Sequence, residues 1–493
     1  MVSIKNITYG IGSGYIQKAV QIVTTIIIIP LLISDTALGL SGYGELMTAL
    51  AIVAFFSMIL DGVRLSVARK VGQQQNSNNH GLGVSIAVML VALSVPVSVF
   101  SLIADTIFEF TGLDWKRDSV LMLLLLLFLF FEQLNYVVEQ YYHSKGLTWK
   151  VNVITTLEVL VRFAIISFAI IYYMFDAEMY LYIFVGSYII KSVYFFANLY
   201  GLDAFNKNSM SFKWDEVTEI LNYSWPLSLK GVATFFVYRF GVIVCNKVIG
   251  SEASAIYSII FTTIKNYLAQ LFVAVLRPMV VPIMAAKNIS KISNENKESI
   301  TSTLRVYEYI VVGAILFVSF SSEIWLGAWL GGEFLNYSML FSISIMIVSL
   351  EVVSGIKALL LVSQGYGRQL SFYSLLFASF VLLMLTYIMI TGSFSTLENI
   401  IYLTLSYIVI YNGVVLMRLF RRYMLGIDKD NYLVRMFVYV TSGVSFYMAY
   451  EYSVYMGLVV GMLVYVVLVM TLFKGVYQDL IRVFKVFMLH HKT

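Results

Sequence analysis

Fourteen long apolar segments follow one another along the chain. They lie at roughly 11–33, 45–61, 82–108, 119–141, 152–175, 179–200, 222–249, 253–277, 304–322, 337–363, 370–392, 398–420, 433–450 and 454–473. A helix needs about 20 apolar residues to cross a bilayer. Inside the bilayer only helices and closed barrels satisfy their backbone hydrogen bonds. The connections are short. The longest, from Met279 to Thr303, carries KNISKISNENKES in its middle and no strand or core pattern. Composition agrees. The 493 residues are 60% hydrophobic and 12% charged, with a mean hydropathy of +0.84, where a soluble domain has about 25% charged residues. The expectation is an all-α integral membrane protein of about 14 transmembrane helices.

Lysine and arginine in the connections set the orientation. The N-terminus, every second loop after it and the tail hold 23 of them, from Lys5, Arg64, Arg69 and Lys70 through Arg421, Arg422 and Lys429 to Lys492. The opposite loops hold only Lys116 and Arg117, and otherwise acids such as Glu252, Glu323, Glu333 and Glu398. Both termini are therefore expected on the cytoplasmic side. Only about ten residues precede the first apolar run, so that span is expected to be retained and not cleaved. The single cysteine, Cys245, leaves no intramolecular disulfide. The tail from Gly475 to Leu489 repeats Tyr477, Leu480, Ile481, Phe484, Phe487 and Met488 at helical spacing, as a surface-lying amphipathic helix does.

The informative charges are those inside the apolar segments. Lys18, Arg162, Lys191, Lys230, Arg239, Lys247, Lys265 and Lys357 lie there, and Lys247 is near enough to an end to snorkel. A basic side chain at mid-depth costs about 2.5 to 3.5 kcal/mol on insertion scales, so such residues face a bundle interior or a wet cavity. The deep acids read from the sequence are Glu132, Glu158 and Glu351, which leaves a cationic surplus. Glu158 and Arg162 stand four apart and can neutralise each other. Lys357 can snorkel towards an end. Glu351 can pair with a lysine of another helix or carry a coupling proton. Lys18, Lys230 and Lys265 have no acid three or four residues away, which marks them as cavity-lining. Lys230 and Arg239 are nine residues apart in the stretch Ser224 to Tyr257. On an ideal helix that sets them on opposite faces. Either that helix is irregular or only one of them faces the cavity. Pro226, at its start, cannot supply the break; Gly231 and Gly241 can loosen it.

An internal similarity accompanies this charge. Lys18 precedes Tyr43 by 25 residues and Lys230 precedes Tyr257 by 27, each across a glycine-bearing turn. The following segments end in the basic stretches RLSVARK and LRPMVVP. Two six-span halves running in the same direction follow from it, with the last two spans appended and a site between the halves. The domain expectation is 1–205 for an N-terminal lobe, 206–425 for a C-terminal lobe, and 426–493 for the appended spans and tail.

The openings IIPLLISDTALGLSGYGEL and LDGVRLSVARKVG, with the second turn VIGSEASAIYSI, resemble polysaccharide-export flippases of the O-antigen (Wzx) type. That family belongs to the superfamily of MATE drug exporters and lipid II flippases. The resemblance implies a two-lobed, MATE-like bundle whose central cationic cavity alternates between the two membrane faces. The implied substrate is an oligosaccharide on undecaprenyl diphosphate, crossing the bacterial cytoplasmic (inner) membrane, with membrane lipid and other polysaccharide-assembly membrane proteins as partners. Lys18, Arg162, Lys191, Lys230, Arg239 and Lys265 become the cavity cations, since ammonium and guanidinium groups suit a diphosphate. Asp61, Glu132, Glu158 and Glu351 become the coupling or pairing acids, for H+ or Na+, although Asp61 before Gly62 also fits ordinary turn chemistry. Fourteen spans exceed the twelve of many family members. Lys18 stands where some drug exporters carry a coupling acid, which weighs against a cation-coupled small-molecule exporter. A lipid II flippase is the nearer alternative.

No cofactor is expected, and nothing points to nucleic acid. No phosphate-binding loop is present, and His80, His143, His490 and His491 form no ligand cluster. Asp428 and Asp430 have an Asp-x-Asp spacing but no surrounding nucleotide fold, so a membrane glycosyltransferase or polymerase is the weakest reading.

Overall fold

The computed structural model describes residues 4–64, 66, 81–113, 119–144, 147–173, 175–200, 214–274, 294–423 and 432–472; among these there is no strand. The order begins with α1 (Ile4–Leu32), α2 (Gly39–Ile59), α3 (Gly81–Thr111), α4 (Ser119–Ser144), α5 (Thr148–Tyr172) and α6 (Ala177–Tyr200). It continues with α7 (Trp214–Tyr238), α8 (Phe240–Val248), α9 (Ser251–Tyr257) and α10 (Ile264–Ala269). Short π-helical stretches, Ser258–Thr263 and Gln270–Ala274, flank α10. Then come α11 (Asn294–Phe320), α12 (Ser322–Leu330), α13 (Ser338–Ser363), α14 (Gly367–Thr391) and α15 (Leu397–Tyr407). A π-helical stretch, Ile408–Leu416, leads to α16 (Met417–Tyr423), and α17 (Tyr432–Tyr450) and α18 (Val454–Leu472) close the order.

Each of the fourteen apolar segments is helical over its described residues. Eleven helices are long and apolar enough to cross a membrane, or twelve if α11 and α12, bent by 61° at their break, form one span. Residues 251–274 and α17 are helical without meeting that test. The protein is a multi-pass membrane protein. The motif stretch RLSVARK beyond Ser66, LRPMVVP, the Asp428–Asp430 loop, His80, the amphipathic tail and the terminal histidines lie outside the described residues.

Two compact units emerge. The described residues up to Thr263, with Gly367–Thr404, form the first; Ile264–Val273, the described part of residues 283–366, and those from Leu405 on form the second.

In the first unit α2 is the central element, and small residues set its packing. Without water to drive association, membrane helices hold together by close backbone approach and hydrogen bonds, which glycine, alanine, serine and threonine permit. Gly39 (φ +65°) and Gly250 (φ +131°) adopt the left-handed backbone open to glycine. They start α2 and α9. The two helices then meet: Ser41 Oγ lies 2.6 Å from Ser251 Oγ and Thr48 Oγ1 lies 2.8 Å from Ser254 Oγ. Gly44 touches the Ser251 backbone, and a Cβ there would collide with its carbonyl oxygen. The two turns that look alike in sequence are thus packed on each other. On the other side α2 crosses α7, where a Cβ on Gly231 would strike the Met58 carbonyl and one on Gly62 the Ser224 carbonyl.

The stretch α7–α8 is broken at one residue. Pro226 sits inside α7, which begins at Trp214, and does not end it. The break is Arg239 itself (φ −117°), a single turn residue between Tyr238 and Phe240. Its carbonyl accepts from the Val242 amide at 3.1 Å, a tightened turn. Gly241 follows, and leaves room for the ring of the fully buried Tyr257, whose hydroxyl lies 3.2 Å from Thr404 Oγ1.

In the second unit the last two helices are packed on α11. Tyr465 Oη donates to the Tyr309 carbonyl at 2.8 Å, and Phe320 stacks on Phe446 at 4.4 Å. Gly461 and Gly313 admit these rings.

Gly44→Ala and Gly231→Ala are expected to destabilise the protein by about 1–3 kcal/mol each, the range for overpacking. Gly12→Ala, where nothing lies within 4 Å of the new methyl group, is expected to be neutral or slightly stabilising. Thermal unfolding of detergent-purified variants measures the difference.

Candidate functional site

A buried charge cluster joins the end of α2 to α4. One further helical turn, residues 61–64, continues α2 past Leu60. Arg64 therefore lies on the helix face of Asp61 and Ser57, three and seven residues back. Its Nη1 is 2.8 Å from Asp61 Oδ1, its Nη2 donates to Ser57 Oγ at 2.9 Å, and its Nε donates to Gln133 Oε1 at 2.9 Å. Glu132 Oε2 accepts from Ser57 Oγ at 2.7 Å and from Gln133 Nε2 at 2.9 Å, and stands 3.4 Å from Arg64. The guanidinium lies 4.7 Å from the Tyr136 ring centre. A guanidinium presents five donors in a fixed fork, which is why one arginine can organise this many partners. Sequence reasoning put Arg64 in a loop. The structure corrects this, because the helix runs one turn beyond the apolar segment.

Two further deep cations of the first unit, Arg162 and Lys191, form ion pairs within it. Arg162 meets Glu158 at 2.8 Å, as the spacing of four predicts, and lies 4.3 Å from the Phe184 ring centre; Glu158 also accepts from Ser187 Oγ at 2.9 Å. Lys191 meets Glu139 at 2.6 Å. Lys18 Nζ donates to Gln21 Oε1 at 3.1 Å, and the charges of Glu139 and Lys191 act on it. Lys230 is half-buried beside the α2 crossing and is not without a partner. Lys247 Nζ reaches the Glu109 carbonyl at 3.2 Å, so it neutralises the end of α3.

In the second unit Lys265 stands 3.4 Å from Glu351, whose buried second oxygen, Oε2, has no hydrogen-bond partner among the described residues. Lys357 does not snorkel. It is 3.1 Å from Glu308, both side chains are at most 5% exposed, and Tyr439 Oη and Met417 Sδ complete the site. The sequence count of deep acids therefore missed Glu139 and Glu308. Both lie near segment ends, where apolar length alone reads as loop. Glu139 is seven residues beyond Glu132 on one face of α4, and that spacing was the available signal.

Arg239 stands apart. It sits at the α7–α8 break, half-buried, with no hydrogen bond or ion pair to its guanidinium among the described residues. The ionisable groups that act on it are Tyr43, Glu132 and Tyr257. Phe55, Phe235, Phe236 and Phe240 pack around the same break, with ring centres 4.9 to 6.3 Å apart. The arrangement offers one uncommitted cation beside aromatic faces and a hydrogen-bonded carboxylate. No group of three or more potential metal ligands occurs among the described residues.

Helix order and packing define the class: a membrane protein with the fold of MATE transporters. The chain is similar to an outward-facing multidrug resistance MATE family transporter of the MOP superfamily, at 15% identity over 87% of this chain and 97% of that one, with a TM-score of 0.60. It is similar to an inward-facing transporter of that kind at 14% identity, 84% and 99% coverage, and TM-score 0.56. A MATE protein in complex with MaL6 matches at 13% identity, 85% and 97% coverage, and TM-score 0.62. At such identities the likeness is one of fold. No curated protein matches by sequence. The chain belongs to the polysaccharide biosynthesis protein family, whose model matches residues 3–287.

Removing one partner of a buried ion pair costs about 3–5 kcal/mol. Glu308→Ala is expected to lose stability on that scale, Arg64→Ala to lose less, because its acids are part-exposed, and Arg64→Lys to recover only part of that loss, because lysine lacks the fork. Arg239→Gln is expected to unfold within about 1 kcal/mol of the parent, the range for substitutions that break no contact. Chemical or thermal unfolding in detergent separates these outcomes.

Proposed function

We propose that the protein moves undecaprenyl-diphosphate-linked oligosaccharide repeat units from the cytoplasmic to the outer face of the bacterial cytoplasmic membrane. The observation that carries the reading is Arg239. The other deep cations named above have partners, and an intramembrane cation with no hydrogen bond or ion pair among the described residues is by default a functional one. A lipid-linked diphosphate supplies that anion, and membership of a polysaccharide biosynthesis family supplies the context. The reading includes alternating access, an orientation with both termini cytoplasmic, and lobes at 1–205 and 206–425 with 426–493 appended. It makes the chain a transporter and not an enzyme.

The chemistry divides among named groups. Arg239 forks onto the diphosphate. Lys18, Lys191, Lys230 and Arg162 supply further positive charge in the first unit, and Lys265 supplies it in the second. Aromatic faces at Phe55 and Phe236 border the sugar. The lipid tail stays in the bilayer. Among the acids, Asp61, Glu132 and Glu158 are held by Arg64, Gln133, Ser57, Arg162 and Ser187. Glu351, with its orphan oxygen, is the acid best placed to exchange a coupling H+ or Na+. A lipid II flippase differs only in the sugars. A small-molecule exporter is the second reading, favoured by the multidrug transporters of like fold.

In a strain lacking the protein, complete lipid-linked repeat units are expected to accumulate on the cytoplasmic face, with surface polysaccharide lost. Arg239→Glu and Lys230→Glu are expected to insert normally and fail to restore it. Surface polysaccharide at parental level with Arg239→Glu overturns the assignment. Repeat units that never form place the protein upstream, and unchanged glycans favour small-molecule export.

A further inference from the structure

One helix of the second unit is too short to cross a bilayer and too apolar on its open face to meet water. α12 is bent by 61° from α11 at Ser321. The cause is local. The Ser321 hydroxyl donates to the Phe317 carbonyl at 2.7 Å, a bond that bends helices. Two staples to α13 hold the bend: Ser319 Oγ donates to the Ser342 carbonyl at 2.7 Å, and Ser322 Oγ to the Ser338 carbonyl at 3.2 Å.

Length decides where α12 lies. From Leu304 to Phe320, α11 rises about 25 Å, most of a hydrocarbon core of about 30 Å. The nine residues of α12 measure about 13 Å, and the bend leaves only about 6–7 Å of that along α11. One headgroup layer is about 5–7 Å thick. The faces of α12 agree with that depth. Ser322 and Leu326 are buried, and the one charge, Glu323, is drawn to the protein, its carboxylate accepting from the Tyr450 hydroxyl at the end of α17. Ile324, Trp325 and Ala328 are exposed on the opposite face, which carries no charge. They continue, at helical spacing, the exposed stripe of Ile310, Ala314 and Phe317 on α11. Tyr452 and Tyr455, both exposed, flank the α17–α18 junction that Tyr450 ties to α12. Tryptophan and tyrosine gather where hydrocarbon meets headgroups.

We propose that α12 is an interfacial helix: its Ile324–Trp325–Ala328 face is seated on lipid, in the headgroup boundary of the leaflet where α11 ends. The Glu323–Tyr450 contact latches it there. The occupant is lipid and not a second copy of the chain, because the face continues a membrane-facing stripe and offers no charge to pair across a protein interface. The Trp325 indole suits that boundary, with its rings towards the acyl chains and its N–H towards headgroup oxygens. Such an anchor sets the depth and tilt of α11. Under the orientation proposed above, the leaflet is the outer one. The seat is independent of what the protein transports.

The test uses the full chain in a Cys245→Ala background, reconstituted into vesicles of phosphatidylethanolamine and phosphatidylglycerol. A nitroxide is attached at Ile324→Cys, at Ala328→Cys or, as a deep marker, at Ala314→Cys. Collision rates with oxygen, which enters lipid, and with a water-soluble nickel chelate report depth. The labels at 324 and 328 are expected at one common depth, about 5–10 Å inside the headgroup boundary, and the label at 314 deeper. Tyr450→Phe is expected to shift the spectrum of the label at 324 towards the narrower lines of a mobile one. Labels at 324 and 328 that meet nickel as freely as in water overturn the seat. So do labels shielded from both reagents, as under a protein partner, and labels as deep as the one at 314, as in a re-entrant helix. An unchanged spectrum with Tyr450→Phe overturns the latch. If Ile324→Cys does not fold, Ala328→Cys against Ala314→Cys still reads the depth.

Discussion

An ionised side chain in hydrocarbon has no water to turn to, and most of the polar architecture here answers that constraint. Four of the deep cations are met by an acid from another helix: Glu132 for Arg64, Glu139 for Lys191, Glu351 for Lys265, Glu308 for Lys357. The pairs fix helix neighbours, since a pair holds only where two helices come close at the right register. They also mark exceptions. Arg239 has no such partner among the described residues, and that singles it out more sharply than its depth in the sequence does.

Close approach is the second requirement, and glycine provides it. The crossing of α2 with α7 and with α9 brings backbones together at Gly44, Gly62 and Gly231. That closeness puts Ser41 within reach of Ser251 and Thr48 within reach of Ser254. Packing and charge are therefore one design in the first unit: small residues set the distance, and polar groups use it. The break at Arg239 belongs to the same design. It interrupts the helix at the residue whose side chain is left uncommitted, so the backbone irregularity and the chemical exception coincide.

The paired and the uncommitted cations have different work to do. Enclosed pairs such as Lys357–Glu308 hold elements together. Arg239, with no hydrogen bond or ion pair to its guanidinium among the described residues, is the cation on which the functional reading rests. The polysaccharide biosynthesis family membership and the MATE-type fold draw on different observations.

The sequence by itself determined the class. Long apolar segments force helices in a bilayer, and buried lysines and arginines force a polar interior. The spacing of Glu158 and Arg162 gave their pairing, because residues four apart meet on one helix. The likeness of the two glycine-led turns was also legible. Tertiary structure decided the rest. Whether Lys265, Lys191 or Lys357 was paired depended on acids 49 to 86 residues away along the chain, and no spacing rule spans such distances. Arg64 read as a loop residue because apolar length ends before the helix does, and Glu308, near the start of its apolar segment, was not counted among the deep acids. That the two alike turns pack on one another, and that Arg239 and not Lys230 holds the helix break, followed from where backbones touch, which a one-dimensional pattern does not contain.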